Sequence, residues 1–476
     1  MRTLEVLILL LNVVALVALY LPRRAALRGL AYLPAVTVIV MLAHLGVEGY
    51  RWQMVPAYLL TAALFLLSLR RMRNRGDVPP ARGALAFAAG GLAAVVWVAA
   101  AALPIILPVP RLPQPPGPYA VGSVLYHWMD TTRDEVYSTE PDDSREMMVQ
   151  IWYPADVTAD ARTVPFLDNF DVALPAFAAF LEVPPFVLEH LQLVDTHSYA
   201  DVPASGGESS YPVVIYSHGY KSYRTASIAQ MEALASSGYI AVAIDHPYSA
   251  AFTVFPDGRV ALNDPDLLPP DGRMEPGDQE AREGLQGTMV ADVQFVLDQL
   301  QRLNEGGLES PLAGKLDLER VGLTGVSTGG GAILWACQID ARCKAGLVQD
   351  GWYEPIPEAL VTQPLRQPFL FMQSETDMWM MDNLARLDGL YVESAAPAFH
   401  LSLTGVQHYD FGDYPLLSPV NSLLPEHGTM EGKRTVAMIN AYLLAFFDQY
   451  LKGEPSVLLA GPSAEYPEVG FEGREP

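Results

Sequence analysis

The 476-residue chain is half apolar and carries 54 acidic against 30 basic residues, a net charge of −24. Residues 1–110 run against that balance with ten arginines and three acids, which leaves 20 basic and 51 acidic residues in the remainder. So acidic a surface excludes nucleic acid and other phosphate backbones as partners, and the length allows about two to four domains with a sizeable core.

Four apolar stretches open the chain: Val6 to Leu21, Leu30 to Val47, Met54 to Leu69 and Ala84 to Leu107. A bilayer core asks for about 20 apolar residues per helix, so the first and third are marginal alone, but four in succession predict an all-α membrane section of four transmembrane helices over 1–110. A cleaved signal peptide would explain only the first. Arg23, Arg24 and Arg28 follow the first stretch, and Arg70, Arg71, Arg73, Arg75 and Arg82 follow the third, whereas the second connection has Arg51 beside Glu48. Positive connections stay in the cytoplasm, which places the N-terminus and everything after residue 107 outside, as expected of an integral protein of a bacterial cell membrane. His44 and Glu48, near the end of the second stretch, are either interface groups or a buried functional pair. The run "LPIILPVPRLPQPPGPY" (103–119) is a stiff exit from the fourth helix. Residues 111–144 are read as a proline-rich linker and entry, 145–453 as a catalytic domain, and 454–476 as an irregular tail.

From about residue 145 short β-rich runs alternate with amphipathic ones. Strands are predicted at 147–153, 212–217, 239–245, 320–325, 344–349, 368–373 and 398–403, and helices at 227–237, 288–303, 330–338 and 434–451. Doubly buried strands alternating with helices predict a mostly parallel sheet flanked by helices, an α/β fold. Residues 255–284, rich in Pro, Gly and acid, read as a surface insertion, and Asp264, Asp266 and Asp271 lack calcium-loop spacing. Cys337 and Cys343 form either one local disulfide or two unpaired core residues. Histidines and cysteines are too scattered for zinc, so no cofactor or metal is expected.

"GLTGVSTGGGAILW" (322–335) carries the chemistry. A strand ending at Gly325, a tight turn with Ser327 and a helix from Gly329 give a G-x-S-x-G motif its strand, turn and helix context, which marks Ser327 as a nucleophile. A serine needs a base and an acid to orient it, in chain order Ser, acid, His on this scaffold. Of the histidines that follow, His400 falls inside a strand and His427 in a surface loop, while His408 in "GVQHYDFGD" sits just beyond a strand end, where a base belongs. Asp350 and Asp377 both follow strands, and spacing alone leaves them level as the acid. Thr328 N–H and Tyr220 N–H, from "YSHGYKS" (216–222), are the predicted oxyanion donors, with His218 propping that turn.

At these residues the chain resembles the secreted-type platelet-activating-factor acetylhydrolases, α/β-hydrolase fold esterases that cleave short or oxidised acyl groups from phospholipids without a metal. The resemblance runs through "VQIWYPAD", "YPVVIYSHGYKSYRT", "LASSGYIAVAIDHPYSA", "GVSTGGGA", "LVQDGW" and "GVQHYDFGD", and covers none of the first 110 residues. It implies Asp350 as the acid, with Ser327 and His408, and Tyr220 and Thr328 as oxyanion donors. Val326 stands where that family usually has histidine, and the triple glycine with "SETD" is similar to bacterial cutinases and polyester hydrolases, in which the acid would match Asp377. The expectation is a membrane-anchored serine esterase acting on lipid or other acyl esters. A cutinase-like or general short-chain esterase, a non-catalytic lipid-binding scaffold and a peptidase are the alternatives.

Overall fold

The structure, a computed structural model, describes residues 1–20, 25–73, 83–138, 140, 142–268, 279–376, 381–424 and 426–475. Arg23, Arg24, Arg75, Arg82, Asp271 and Asp377 of the sequence reading lie outside the described residues. The chain divides into two compact units: residues 1–110, 186–194 and 417–420 form one, and 111–185, 195–416 and 421–476 the other.

The first unit contains α1 (Thr3–Ala18), α2 (Leu33–Val47), α3 (Val55–Arg73) and α4 (Ala84–Ile106). Helical stretches Gly29–Val47, Trp52–Arg70 and Ala84–Ile106 are long and apolar enough to cross a membrane, with mean hydropathy 2.0, 1.6 and 2.1, whereas α1 is a shorter apolar helix of 16 residues. Their polar side chains meet one another. Glu5 receives Arg51 Nε and Nη2 at 2.7 and 2.6 Å, and Arg51 Nη1 reaches Leu107 O at 2.9 Å. His44 Nδ1 lies 2.9 Å from Glu48 Oε2 and its Nε2 2.7 Å from Tyr58 Oη. The carboxylates and imidazole of Glu5, His44 and Glu48 lie within 4.8 Å of one another. Arg2 and Arg51 balance the two glutamates, so the cluster is an internally satisfied ionic network.

The second unit is built on a ten-stranded sheet. Its strands are β1 (Ala120–Asp134), β2 (Ser144–Ala155), β3 (Ser198–Ala200), β4 (Tyr211–Ser217), β5 (Ile240–Ile244), β8 (Leu316–Val326), β9 (Cys343–Gln349), β10 (Phe369–Gln373), β11 (Ala398–Leu403) and β12 (Val469–Arg474), while β6 (Phe252–Val254) and β7 (Val260–Leu262) form a separate hairpin. The spatial order is β12-β11-β10-β9-β8-β4-β5-β2-β1-β3. The run from β11 to β5 is parallel, and β2 and β12 join its two sides antiparallel. The helices are α5 (Phe170–Phe180), α6 (Ile228–Ser236), α7 (Gln279–Asn304), α8 (Thr328–Ile339), α9 (Glu358–Val361), α10 (Met381–Val392) and α11 (Gly432–Phe447). Alternation along the strands builds two faces. Val213, Ile215, Val321 and Leu323 share one core with Val293, Val296 and Leu297 of α7 and Ile333 and Leu334 of α8. Tyr216, on the other face, accepts a hydrogen bond from Ser227 ahead of α6, which packs on α11.

Two expectations are corrected. Residues 111–144 are not all linker, because β1 pairs along almost its whole length with β2; Ser123 and Asp130 are buried in it while Leu125 and Met129 are exposed, which breaks the apolar alternation that would mark a strand. Residues 454–476 are not wholly irregular, because "VGFEGR" forms β12 against β11. Two glycines and two charges give that segment little strand propensity of its own, and the open edge of β11 supplies its pairing. The surface insertion at 255–284 contributes β7 and the first turns of α7.

Cys337, in the last turns of α8, is bonded to Cys343 at the start of β9. Closing so short a loop removes little unfolded-state entropy, so Cys337→Ser/Cys343→Ser is expected to cost about 2 kcal/mol. The thermal midpoint of the purified full chain should fall by on the order of 5 °C on that substitution, and equally when dithiothreitol is added to the wild type.

Candidate active site

The C-terminal ends of β8 and β9 present two residues in the left-handed half of backbone space. Ser327, between β8 and α8, has φ 56° and ψ −122°. Asp350, directly after β9, has φ 49°. Such backbone is sparsely populated for residues with a Cβ and persists only where neighbours hold it. Here Ser327 N–H donates to Gln349 O at 3.0 Å, and Ser327 O accepts from Trp352 N at 2.9 Å and Gly331 N at 3.1 Å. Both turns are therefore tied to each other. From α7 the buried Gln286 adds a clasp, its Nε2 donating to Thr328 O at 3.2 Å and to Trp352 O at 3.1 Å.

The turn leaves no room for a Cβ at Gly329 and little at Gly219. A methyl on Gly329 would lie 2.2 Å from Ser217 O, and one on Gly219 would lie 3.1 Å from Ser327 Cβ. The "SHGY" loop thus crosses directly over the serine. Among the described residues, neither Tyr220 N–H nor Thr328 N–H has a hydrogen-bond acceptor. Two uncommitted backbone donors beside a serine suit a negatively charged oxygen.

Asp350 is 2 % exposed and its carboxylate meets three donors. Ser374 N–H reaches Oδ1 at 3.1 Å, Ser374 Oγ reaches Oδ2 at 2.8 Å, and His408 Nδ1 donates to Oδ2 at 2.6 Å. A carboxylate so placed fixes the imidazole with its proton on Nδ1 and its lone pair on Nε2, the state a general base needs. The loop carrying His408 is held by two further aspartates. Asp410 accepts from Gln407 N at 2.8 Å, Gly428 N at 2.6 Å and His427 Nδ1 at 2.7 Å. Asp413 accepts from Ala229 N, at the start of α6, at 3.2 Å.

Of the sequence-predicted residues, the structure brings Asp350 and His408 together and sets Ser327, Thr328 and Tyr220 at the neighbouring strand ends. His400 bonds Gln373 Oε1 at 2.7 Å within β11 and takes no part. His427, read as a surface loop residue, braces the His408 loop through Asp410. Sequence reasoning missed Ser374, which lies in the same "SETD" that advertised Asp377, and missed Gln286, Asp410 and Asp413. Hydrogen bonding between distant segments leaves no periodic signal for such residues. Also missed was a buried group behind the "SHGY" loop: His246 Nδ1 lies 2.9 Å from Asp292 Oδ2, and Arg145 Nη2 donates to the same oxygen at 2.6 Å. Burial alone would raise the Asp292 pKa, but Arg145 and His246 hold it far below the usual carboxylate range.

The sequence profile of the platelet-activating factor acetylhydrolase, isoform II, family matches residues 107–456. The chain is similar to a "Probable 1-alkyl-2-acetylglycerophosphocholine esterase" of Arthroderma benhamiae, 25% identical over 389 residues that cover 76% of this chain and 93% of that protein. It is also similar to the platelet-activating factor acetylhydrolase of Canis lupus familiaris, 24% identical over 277 residues, 54% of this chain and 61% of that one. Among solved structures it is similar to a ferulic acid esterase from Streptomyces cinnamoneus, with a TM-score of 0.63 and 26% identity, covering 76% of this chain and 99% of that chain.

Proposed function

Because the chain belongs to the platelet-activating factor acetylhydrolase, isoform II, family and is a carboxylic ester hydrolase, we propose that it is a membrane-anchored serine esterase that removes short acyl groups from lipid esters outside the cytoplasm. The observation that carries the reading is the 2.6 Å contact of His408 Nδ1 with Asp350, behind the Ser327 turn. In the proposed reaction His408 Nε2 takes the Ser327 hydroxyl proton as Oγ attacks the ester carbonyl. The carbonyl oxygen becomes an oxyanion beneath Tyr220 N–H and Thr328 N–H. When the tetrahedral species collapses, the bond to the leaving alkoxide breaks, and the alkoxide takes the proton from His408. Water, deprotonated by the same imidazole, then releases the acid and returns Oγ–H to Ser327.

The name of the Arthroderma benhamiae relative, an esterase of 1-alkyl-2-acetylglycerophosphocholine, motivates the short acyl group and the lipid alcohol. The structural neighbour is a ferulic acid esterase, and aromatic residues at or within two positions of the site residues, Tyr220, Trp352 and Tyr409, make an aromatic ester the second reading. Anchoring rests on the three helices long and apolar enough to span, and the outer location on the arginine asymmetry and a disulfide that suits an oxidising compartment.

The test is a substrate panel with the purified full chain: p-nitrophenyl acetate and palmitate, 1-alkyl-2-acetyl-glycerophosphocholine, methyl ferulate and a polyester film. A fluorophosphonate adduct is mapped in parallel by mass spectrometry. Turnover of the acetyl lipid above all others, with the adduct on Ser327, is the expected result. Preference for methyl ferulate selects the second reading. No adduct and no turnover would leave a lipid-binding scaffold.

A further inference from the structure

Ser217, His246 and Asp292 repeat the spacing of a catalytic set, with Ser217 Oγ 2.9 Å from His246 Nε2 and His246 Nδ1 2.9 Å from Asp292 Oδ2. All three are 0 % exposed, so no substrate reaches them. Their outlet is a different residue. The backbone N–H of His246 donates to His218 Nε2 at 3.1 Å. An amide N–H can only donate, so His218 Nε2 must be an acceptor and the ring proton must sit on Nδ1. That Nδ1–H lies 2.8 Å from Gly219 O, which it therefore donates to. Ser222 N–H meets the same carbonyl at 2.9 Å.

A trans peptide points its C=O and N–H in opposite directions. Two donors on Gly219 O consequently fix which way the N–H of Tyr220 points, the Gly219–Tyr220 peptide being trans like every described peptide bond. Gly219 itself lies against Ser327 Cβ, and Tyr220 N–H has no other acceptor among the described residues. We propose that His218 is a positioning residue for ester hydrolysis: its Nδ1–H, set by the backbone N–H of His246, locks the Gly219–Tyr220 peptide so that Tyr220 N–H faces the oxyanion. The inference rests on the reading of Ser327 as nucleophile. His218 suits the task because it cannot switch state at working pH: burial first, and the imidazole of His246 second, push its pKa down to about 3. Asp292 and Ser217, bonded to its two ring nitrogens, hold the His246 ring in a single orientation beside His218.

Two amide side chains separate the two ring nitrogens. Asparagine puts an N–H where Nδ1–H is, whereas glutamine reaches only to the place of Nε2. His218→Gln is expected to lower kcat by about 10² to 10³, the effect of losing one oxyanion donor, with KM little changed. Affinity for a trifluoromethyl ketone analogue of the tetrahedral species should fall by the same factor. His218→Asn should keep kcat within about tenfold of the wild type. A glutamine variant as fast as the wild type, or an asparagine variant as slow as the glutamine one, overturns the proposal. A third measurement needs no variant: nitrogen NMR of the histidine-labelled full chain should find His218 neutral and protonated on Nδ1, and the opposite tautomer overturns the proposal. Failure of the serine reading shows itself separately, as a wild-type protein that forms no fluorophosphonate adduct on Ser327.

Discussion

Ser327→Ala is expected to lower kcat for a short-chain acyl ester by about 10⁶, the scale seen when a serine protease loses its nucleophile. The loss is chemical because the substitution leaves the architecture alone. Ser327 adopts φ 56° whether Oγ is present or not, and the strain of that backbone belongs to the Cβ, which alanine keeps. Its backbone bonds to Gln349, Trp352 and Gly331 are likewise untouched. Thermal stability should change by no more than about 0.5 kcal/mol, within the range of a substitution that breaks no buried contact. Residual hydrolysis of about 10³ to 10⁴ over water should remain, because the Tyr220 and Thr328 donors still receive the oxyanion. Stopped-flow measurement with p-nitrophenyl acetate gives both numbers, and the pre-steady-state burst of an acyl-enzyme should vanish. An alanine variant with kcat within tenfold of the wild type, or one that keeps its burst, removes Ser327 from the mechanism.

How far the sequence leads differs from residue to residue, for physical reasons. Ser327 was legible because an elbow is local: the strand end, turn and helix start fall within the 14 residues 322–335, with glycines where a Cβ would collide. All seven predicted strands exist, since strands buried on both faces must be apolar nearly throughout. β1 and β12 escaped because one face of the first is solvated and the second takes its pairing from a neighbour. Asp350 could not be separated from Asp377 by pattern, since either follows a strand of the parallel set. What gives Asp350 its partners is lateral register. β9 and β10 run parallel with Gly346 opposite Phe369, so Asp350 N–H reaches Met372 O and Ser374 lies against the Asp350 carboxylate. The segment that suggested a rival acid therefore supplies two of the donors that hold the Asp350 carboxylate. His218, His246 and Asp292 were invisible as a group because three separate segments contribute them, and burial, not spacing, defines their role.

Asp350→Asn tests that register most directly, and is expected to lower kcat by about 10⁴ at neutral pH with little change in KM. The carboxylate accepts from Ser374 N–H, Ser374 Oγ and His408 Nδ1. An asparagine of the same shape has one oxygen and one NH₂. Its oxygen is needed by Ser374 N–H, which cannot do other than donate, so the NH₂ is left facing His408 Nδ1. His408 then accepts at Nδ1 and carries its proton on Nε2, the tautomer that cannot take a proton from serine. The imidazolium formed on proton transfer also loses the negative charge that stabilised it. Because the side chain stays isosteric and paired, a thermal melt should place the variant close to the wild type, so that the loss cannot be laid to unfolding. Asp377→Asn should leave kcat within about tenfold, since the acid position is already filled. The reverse outcome, with Asp377→Asn slow and Asp350→Asn fast, would move the acid to the loop after β10 and reduce the 2.6 Å contact between Asp350 and His408 to a structural bond.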